Sequence, residues 1–140
     1  IIDKVDLIHS LDRFSLAQEL EKRASKIDRV LPVLIQVNTS KEETKSGVYA
    51  EDVFNFIDQI QNFKHIKIEG LMTIAPFVQP PEKTRIYFAM LRKLFDSINE
   101  MQFENVNMKY LSMGMTNDFE IAIQEGANIV RIGRAIFGER

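Results

Sequence analysis

The chain lacks cysteine, has only two histidines and contains no long apolar run. Without cysteine, disulfides, thiolate zinc sites and cysteine nucleophiles are excluded. His9 and His65 are too few for a histidine-rich metal site. No segment approaches the roughly 20 apolar residues that a membrane-spanning helix needs, and no secretory signal is visible. We therefore expect a cytoplasmic protein with no membrane partner and no metal site.

An excess of charge of either sign is also missing. The 18 basic and 20 acidic residues give a net charge of −2, and the sequence pI is about 5.7. Nucleic-acid binding requires a basic face, so no nucleic-acid partner is predicted. With 140 residues, 45% of them hydrophobic and 27% charged, the chain suits one globular domain with a real core.

What is present is a regular alternation of strand-like and helix-like segments. Strands are predicted at 5–9, 31–37, 66–73, 108–113 and 129–133, and helices after Asp12, at about 50–61, at about 82–101, from Asn117 to about Gly126, and from Ala135. Leu16, Leu20, Ala24 and Ile27 form the predicted inner face of the first helix. Asp12, and Asn117 with Glu120, are the predicted helix caps.

This alternation predicts an α/β fold with a parallel sheet covered by helices. Two architectures fit: an open doubly wound sheet, or about five consecutive strand-helix units of an eight-stranded TIM barrel. In both architectures, ligands bind at the carboxyl ends of the strands. Gly70, inside the third predicted strand, indicates a close approach or a bend.

The motif LSMGMTND at 111–118 follows the fourth predicted strand. Gly114 permits a sharp turn, and the hydroxyls of Ser112 and Thr116, the amide of Met115 and the start of the next helix could together hold an anion. The alternative is a plain strand-to-helix turn with an Asn or Thr cap.

The motif RIGRAIFG at 131–138 covers the end of the fifth predicted strand. Arg131 lies in an apolar strand, so it must face a polar pocket or a carboxylate. Gly133 and the amide of Arg134 could close on a phosphate. The alternative is a structural salt bridge from Arg131 to Glu125 or Glu120.

Other polar residues carry weaker signals. The loop at 38–47 is either part of an active site or a solvated loop, and the second is favoured. His9, Ser10 and Asp12 have the residue types of a catalytic triad, but a helix-capping role for Ser10 or Asp12 is favoured. Glu69 is either a general acid or, as favoured, a salt-bridge partner.

Five segments, taken in order, resemble the pyridoxal phosphate homeostasis protein family. They are IHSLDR (8–13), IQVNTSKEETKSG (35–47), EGLMTIAP (69–76), LSMGMTNDFEIAIQEGAN (111–128) and VRIGRAIFG (130–138). The resemblance covers essentially the whole chain. It implies a barrel of the alanine-racemase, fold-type-III kind that binds pyridoxal 5′-phosphate (PLP) and carries the cofactor, without established catalysis.

The resemblance also assigns roles to individual residues. Ser112 and Thr116 match hydroxyls near the cofactor phosphate, Gly133 and the following residue match a backbone clamp, and Arg131 matches an arginine beside the ring. The predicted cofactor-binding residues are Ser112, Met115, Thr116, Arg131, Gly133 and Arg134, with no catalytic residue. Arg134 departs from the family, because many relatives have a small hydroxyl residue there.

In the family, the lysine that forms the Schiff base lies on the first strand, and no lysine of this chain matches it. The chain opens on Ile1-Ile2-Asp3, so residues 1–140 are expected to form one partial PLP-binding barrel domain, with strands equivalent to the fourth through eighth. PLP would then bind non-covalently. The alternatives are a fragment of a PLP-dependent racemase or decarboxylase, or an engineered or structural half-barrel without ligand function.

An incomplete barrel would have unpaired strand edges and an exposed inner face. Leu34, Gln36, Leu71 and Leu111 are predicted to be partly uncovered on that face. Self-association, or pairing with a fragment that supplies the missing strands, is therefore expected.

Overall fold

The computed structural model describes residues 2–43 and 45–138, so Thr44 of the predicted loop lies outside the described residues. The strands are β1 (Ile8–Leu11), β2 (Leu31–Asn38), β3 (Val48–Tyr49), β4 (Ile66–Met72), β5 (Val106–Met115) and β6 (Ile129–Arg131). The α-helices are α1 (Phe14–Lys26), α2 (Val53–Ile60), α3 (Arg85–Met101), α4 (Phe119–Gln124) and α5 (Arg134–Phe137). Short 3-10 turns, Ala50–Asp52 and Pro81–Thr84, lead into α2 and α3.

The sheet decides between the two predicted architectures. Its main path runs β1-β2-β4-β5-β6, with all neighbours parallel and β3 attached only to β2. A doubly wound sheet would reverse its strand order partway along. Here, each strand is added beside the preceding one on the main path, which is the winding of a (β/α) barrel. The structure confirms the partial barrel.

The sheet is strongly curled. His9 on β1 and Ser112 on β5 are separated by β2 and β4, yet His9 Nδ1 lies 3.3 Å from Ser112 Oγ. Adjacent strands are about 4.8 Å apart, so a flat sheet would separate these two strands by roughly 14 Å. The concave face therefore closes on itself, and side chains from non-adjacent strands meet there.

The predicted exposure of the inner face is wrong. Leu34, Gln36, Leu71 and Leu111 are all buried, with at most 9% of their surface exposed. Leu71 and Leu111 belong to the core cluster formed with the helices, so these two leucines were also assigned to the wrong face.

Irregular strand pairing explains that error. The β2-β4 register shifts after Val33, and the β4-β5 register shifts between Ile68 and Gly70. A bulge adds one residue to a strand, which moves every later side chain to the opposite face. Alternation of side chains along the sequence therefore predicts the face of each residue only up to the bulge.

Amphipathic spacing places the helices as predicted, with local corrections. In α3, Phe88, Leu91 and Ile98 are fully buried, whereas Tyr87, Leu94 and Phe95 are only half-buried. Ile27 was predicted to face inward from α1, but it follows the last helical residue and is 47% exposed.

The predicted side-chain caps are also wrong. Arg13 rather than Asp12 occupies the N-cap position of α1, and neither α1 nor α4 has a side-chain capping bond. At the other end of α4, Gly126 has a φ of +106°, which confirms the predicted C-terminal glycine.

The outer strands of the main path, β1 and β6, each pair with one neighbour within the described residues. Self-association through these edges stays a prediction. Across residues 2–43 and 45–138, no helix is both long enough and apolar enough to cross a membrane.

Candidate functional site

The two glycine-containing motifs lie side by side at the carboxyl edge of the sheet. β5 and β6 are parallel neighbours, with Ser112 opposite Ile129 and Met115 opposite Arg131. On the other side of β5, Met72 at the end of β4 lies opposite Ser112. Parallel pairing therefore brings the ends of three successive strands of the main path to one edge.

A cavity of about 410 Å³ opens at this edge. Ligand pockets of this kind are commonly some 300–1,000 Å³ in volume. Its lining residues are Ile74, Ala75, Phe77, Met115, Thr116, Asn117, Asp118, Gly133 and Arg134. Four of the six predicted cofactor-binding residues are thus brought together, while Ser112 and Arg131 are not among the lining residues.

The cavity combines apolar walls with hydrogen-bond donors. Ile74 and Phe77 come from the segment after β4, and Met115 from the end of β5. On the polar side, the amide of Ala135 donates to Thr116 Oγ1 over 3.4 Å. An added Cβ at Gly133 would meet nothing within 4 Å. The backbone at Gly133 therefore faces open space, as the phosphate clamp requires.

Asn117 provides a further donor. Its Nδ2 is buried and has no hydrogen-bond partner within the described chain. A buried amide group without an acceptor is costly, and Asn117 lines the cavity beside Thr116. This unsatisfied nitrogen suits a ligand that supplies acceptor oxygens, as a phosphate ester does.

The amide of Met115 is already engaged. It donates to Asp118 Oδ1 over 2.8 Å, which closes the turn between β5 and α4. Met115 lines the cavity, and 45% of its surface is exposed. A role for the Met115 amide in anion binding stays a prediction and would require this turn to open.

The Arg131 guanidinium donates hydrogen bonds to two neutral oxygens. Its Nη2 donates to the carbonyl of Thr73 and its Nη1 to the hydroxyl of Ser112, each over 2.7 Å. Burial lowers the pKa of Arg131, and the charge of Asp118 acts in the opposite direction. Arg131 points into the protein, as the cofactor hypothesis requires.

The salt-bridge alternative for Arg131 is wrong. Glu125 instead accepts a hydrogen bond from Arg85 Nη1 at 2.9 Å. Within residues 2–43 and 45–138, Arg131 has no carboxylate within ion-pair distance. Its hydrogen-bond partners are neutral oxygens, and the charge of Asp118 acts on it from beyond ion-pair distance.

The sequence did not predict the contact that His9 makes. In the structure, its Nδ1 approaches Ser112 Oγ rather than Ser10 or Asp12. His9, Ser10 and Asp12 therefore do not form a catalytic triad. No sequence signal could have paired positions 9 and 112, because only the curvature of the sheet brings them together. Burial, followed by the charge of Arg131, lowers the pKa of His9 below its ordinary value of 6.5.

This shift predicts a pH-dependent contribution to stability. Below about pH 6.5 the unfolded chain binds a proton at His9 more readily than the folded chain, so stability falls as the pH falls. The His9→Asn variant lacks this loss. Between about pH 7 and about pH 5, the free energy of unfolding measured in urea should therefore fall less in the variant than in the original chain. Parallel pH profiles for the two proteins would contradict the assignment.

The remaining candidates have structural partners. Asn38 Nδ2 donates to the carbonyl of Glu42 over 2.8 Å and so holds the loop after β2. The Lys45 amine lies 3.7 Å from Glu42. Glu69 lies 3.7 Å from the Lys109 amine, which confirms the salt-bridge interpretation of Glu69.

Comparison with known proteins agrees with this geometry. The family model for the alanine racemase N-terminal domain matches residues 1–140. A pyridoxal phosphate homeostasis protein of Aquifex aeolicus is 51% identical over 141 residues, covering 100% of this chain and 60% of that protein. A protein of the same name from Helicobacter pylori is 42% identical, covering 97% of this chain and 59% of the relative. The chain thus spans about three-fifths of the curated relatives it matches.

Solved structures show the same fold. PipY of Synechococcus elongatus with PLP bound has a TM-score of 0.84 and 30% identity, covering 98% of this chain and 63% of PipY. An alanine racemase of Corynebacterium glutamicum has a TM-score of 0.73 at 18% identity, covering 99% of this chain and 38% of the enzyme. At that identity, the second match supports the fold alone.

Proposed function

The chain belongs to the alanine racemase N-terminal domain family, and on that premise we propose that it binds PLP as part of a PLP homeostasis protein. The resemblance noted in the sequence is confirmed by 51% identity to a protein of that name. The observation that carries the proposal is the cavity at the strand ends, which is lined by both hydrogen-bond donors and apolar side chains. A cytoplasmic location and the lack of a nucleic-acid partner stay predictions.

The cavity residues suit the two chemical parts of PLP. Thr116, Asn117 and Arg134 present a hydroxyl, an unsatisfied amide nitrogen and a guanidinium, which fit the phosphate ester. Ile74, Ala75 and Met115 offer apolar contacts to the pyridine ring. Asp118 also lines the cavity, but one of its carboxylate oxygens accepts the Met115 amide, which offsets its charge. We infer that Gly133 and Arg134 close the phosphate side.

We propose that PLP is held non-covalently. Within the described chain, no lysine lines the cavity. When bound, PLP supplies an aldehyde and an electron-withdrawing ring. An arginine beside the ring keeps the pyridine nitrogen unprotonated, which weakens the ring as an electron sink. A guanidinium stays protonated in proteins, so Arg131 can supply this charge while it donates to neutral oxygens. Carrying the cofactor therefore fits the site better than catalysis.

A racemase fragment is the second candidate function, because alanine racemases share the fold. The two proposals differ in turnover. Loaded with PLP and given L-alanine, a carrier forms no D-alanine above the rate of free PLP, whereas a racemase does. Chiral chromatography of the reaction mixture distinguishes them.

Thr116 provides the direct test of the phosphate site. We expect Thr116→Val to weaken PLP binding by roughly tenfold, because a hydroxyl that donates to a charged phosphate is lost while the side-chain volume is kept. The measurement is an absorbance titration with PLP, with inorganic phosphate as a competitor. Thr116→Ser keeps the hydroxyl and is the matched control, expected to bind within about threefold of the original chain. Equal affinities for the Val and Ser variants would refute the phosphate assignment.

A further inference from the structure

Ser112 connects two side chains that approach from opposite sides of the concave face. Arg131, on the neighbouring strand β6, donates to Ser112 Oγ over 2.7 Å. His9, on β1, places its Nδ1 3.3 Å from the same oxygen. Ser112 is completely buried, so water does not compete for these contacts. The hydroxyl therefore links His9 to the guanidinium.

The direction of these hydrogen bonds follows from the donor inventory. A guanidinium only donates, so Ser112 Oγ accepts from Arg131. The single hydroxyl proton of Ser112 is then available for His9 Nδ1, since no other acceptor lies within hydrogen-bond distance in the described residues. With Ser112 as the donor, His9 is the tautomer with its proton on Nε2 and a free lone pair on Nδ1.

These contacts hold both terminal nitrogens of the Arg131 guanidinium. The carbonyl of Thr73, one residue beyond β4, holds Nη2, and Thr73 is itself fixed because its amide donates to the Ser112 carbonyl and its hydroxyl to the Val37 carbonyl. Nη1 depends on a hydroxyl that can rotate, and His9 is the group that stops that rotation. The half-buried imidazole is neutral when it does so, because a proton on Nδ1 would remove the lone pair that accepts the Ser112 hydroxyl proton.

We infer that His9 is a positioning residue that acts through Ser112 to set the direction of the Arg131 guanidinium toward the ring of bound PLP. The inference rests on the proposed function and adds to it a residue on β1, three strands away from β5 in the sheet. His9 does not line the cavity. Its effect on the ligand is therefore indirect and should appear in the ring electronics of PLP as well as in affinity.

The test compares substitutions that remove or retain the acceptor. His9→Phe keeps a flat ring without a lone pair, whereas His9→Asn places an amide oxygen near the position of Nδ1. We expect His9→Phe to weaken PLP binding roughly three- to tenfold and to shift the absorbance maximum of bound PLP, and His9→Asn to restore both. Ser10→Ala, at an exposed position of the same strand, is the matched control and should leave both unchanged.

A double-mutant cycle separates action through Ser112 from a general loss of structure. Ser112→Ala should shift the spectrum in the same direction as His9→Phe, and the double variant should be no worse than the weaker-binding single variant. Nitrogen NMR of the ligand-free chain gives a readout without PLP: His9 should show a protonated Nε2 and a free Nδ1. If His9→Phe does not fold, the Ser112→Ala spectrum and the His9 tautomer still decide the question.

The outcomes are distinguishable. No saturable PLP binding by the original chain overturns the proposed function, and this inference with it. Saturable binding with an unchanged spectrum in His9→Phe or Ser112→Ala overturns the role of His9 alone. Additive effects in the double variant, or a proton on Nδ1 of His9, also overturn it.

Discussion

Replacement of Gly70 by alanine is expected to lower the free energy of unfolding by roughly 3 kcal/mol or more. A Cβ at this position would overlap the carbonyl oxygen of Tyr110 and stand 2.8 Å from the carbonyl carbon and 3.0 Å from the amide nitrogen. These are backbone atoms of the adjacent strand, paired with Gly70 itself. They cannot move aside without breaking the sheet between β4 and β5. Urea unfolding followed by circular dichroism measures the loss.

Gly133→Ala is the matched control for this substitution. It makes the same chemical change at a position where the added carbon meets nothing within 4 Å, and φ at Gly133 is −112°. The free energy of unfolding should stay within about 0.5 kcal/mol of the original. If the two alanine variants were equally stable, the close approach of β4 and β5 would not exist in solution.

Gly70 also marks how far the sequence could predict the fold. Its place inside an apolar strand predicted a close approach or a bend, and the close approach is present, beside a shift in strand register. The order of strands and helices was predicted because apolar periodicity depends on local neighbours. The faces of Leu71 and Leu111 were not, because the bulges that turn these residues arise from pairing between strands.

The same division holds for the candidate site. Thr116, Gly133 and Arg134 could be predicted to meet, because parallel strands bring their carboxyl ends to one edge. The roles of Asp118 and His9 could not. Asp118 accepts a hydrogen bond from the Met115 amide, whereas the capping pattern had indicated Asn117. His9 reaches Ser112 only because the sheet is curled, and local sequence does not encode that curvature.

Arg131→Met is the second substitution with a large expected effect. It keeps an unbranched side chain and removes the guanidinium that reaches Ser112 and Thr73. A hydrogen bond from a charged group is worth about 1.5–3 kcal/mol, so loss of the proposed contact between Arg131 and the PLP ring should lower PLP affinity by roughly ten- to a hundredfold. The absorbance maximum of any remaining bound PLP should also change. An absorbance titration at constant ionic strength measures both quantities.

Two further variants make the Arg131 result specific. Arg131→Lys keeps the charge but cannot reach two acceptors in a fork, so it should recover only a small part of the affinity. Arg13→Met removes a charge at an exposed site whose partner is Asp12 and should leave affinity unchanged. Equal affinity loss in the Arg13 and Arg131 variants would reduce the role of Arg131 to a general effect of net charge.

The hydrogen bond between Ser112 and His9 joins residues 103 positions apart. Loop-closure entropy must be paid over the whole intervening chain before such a contact can contribute. The βα units between the two residues are local and can assemble first. We therefore expect binding competence to be acquired late in folding, when the chain is already compact and helical.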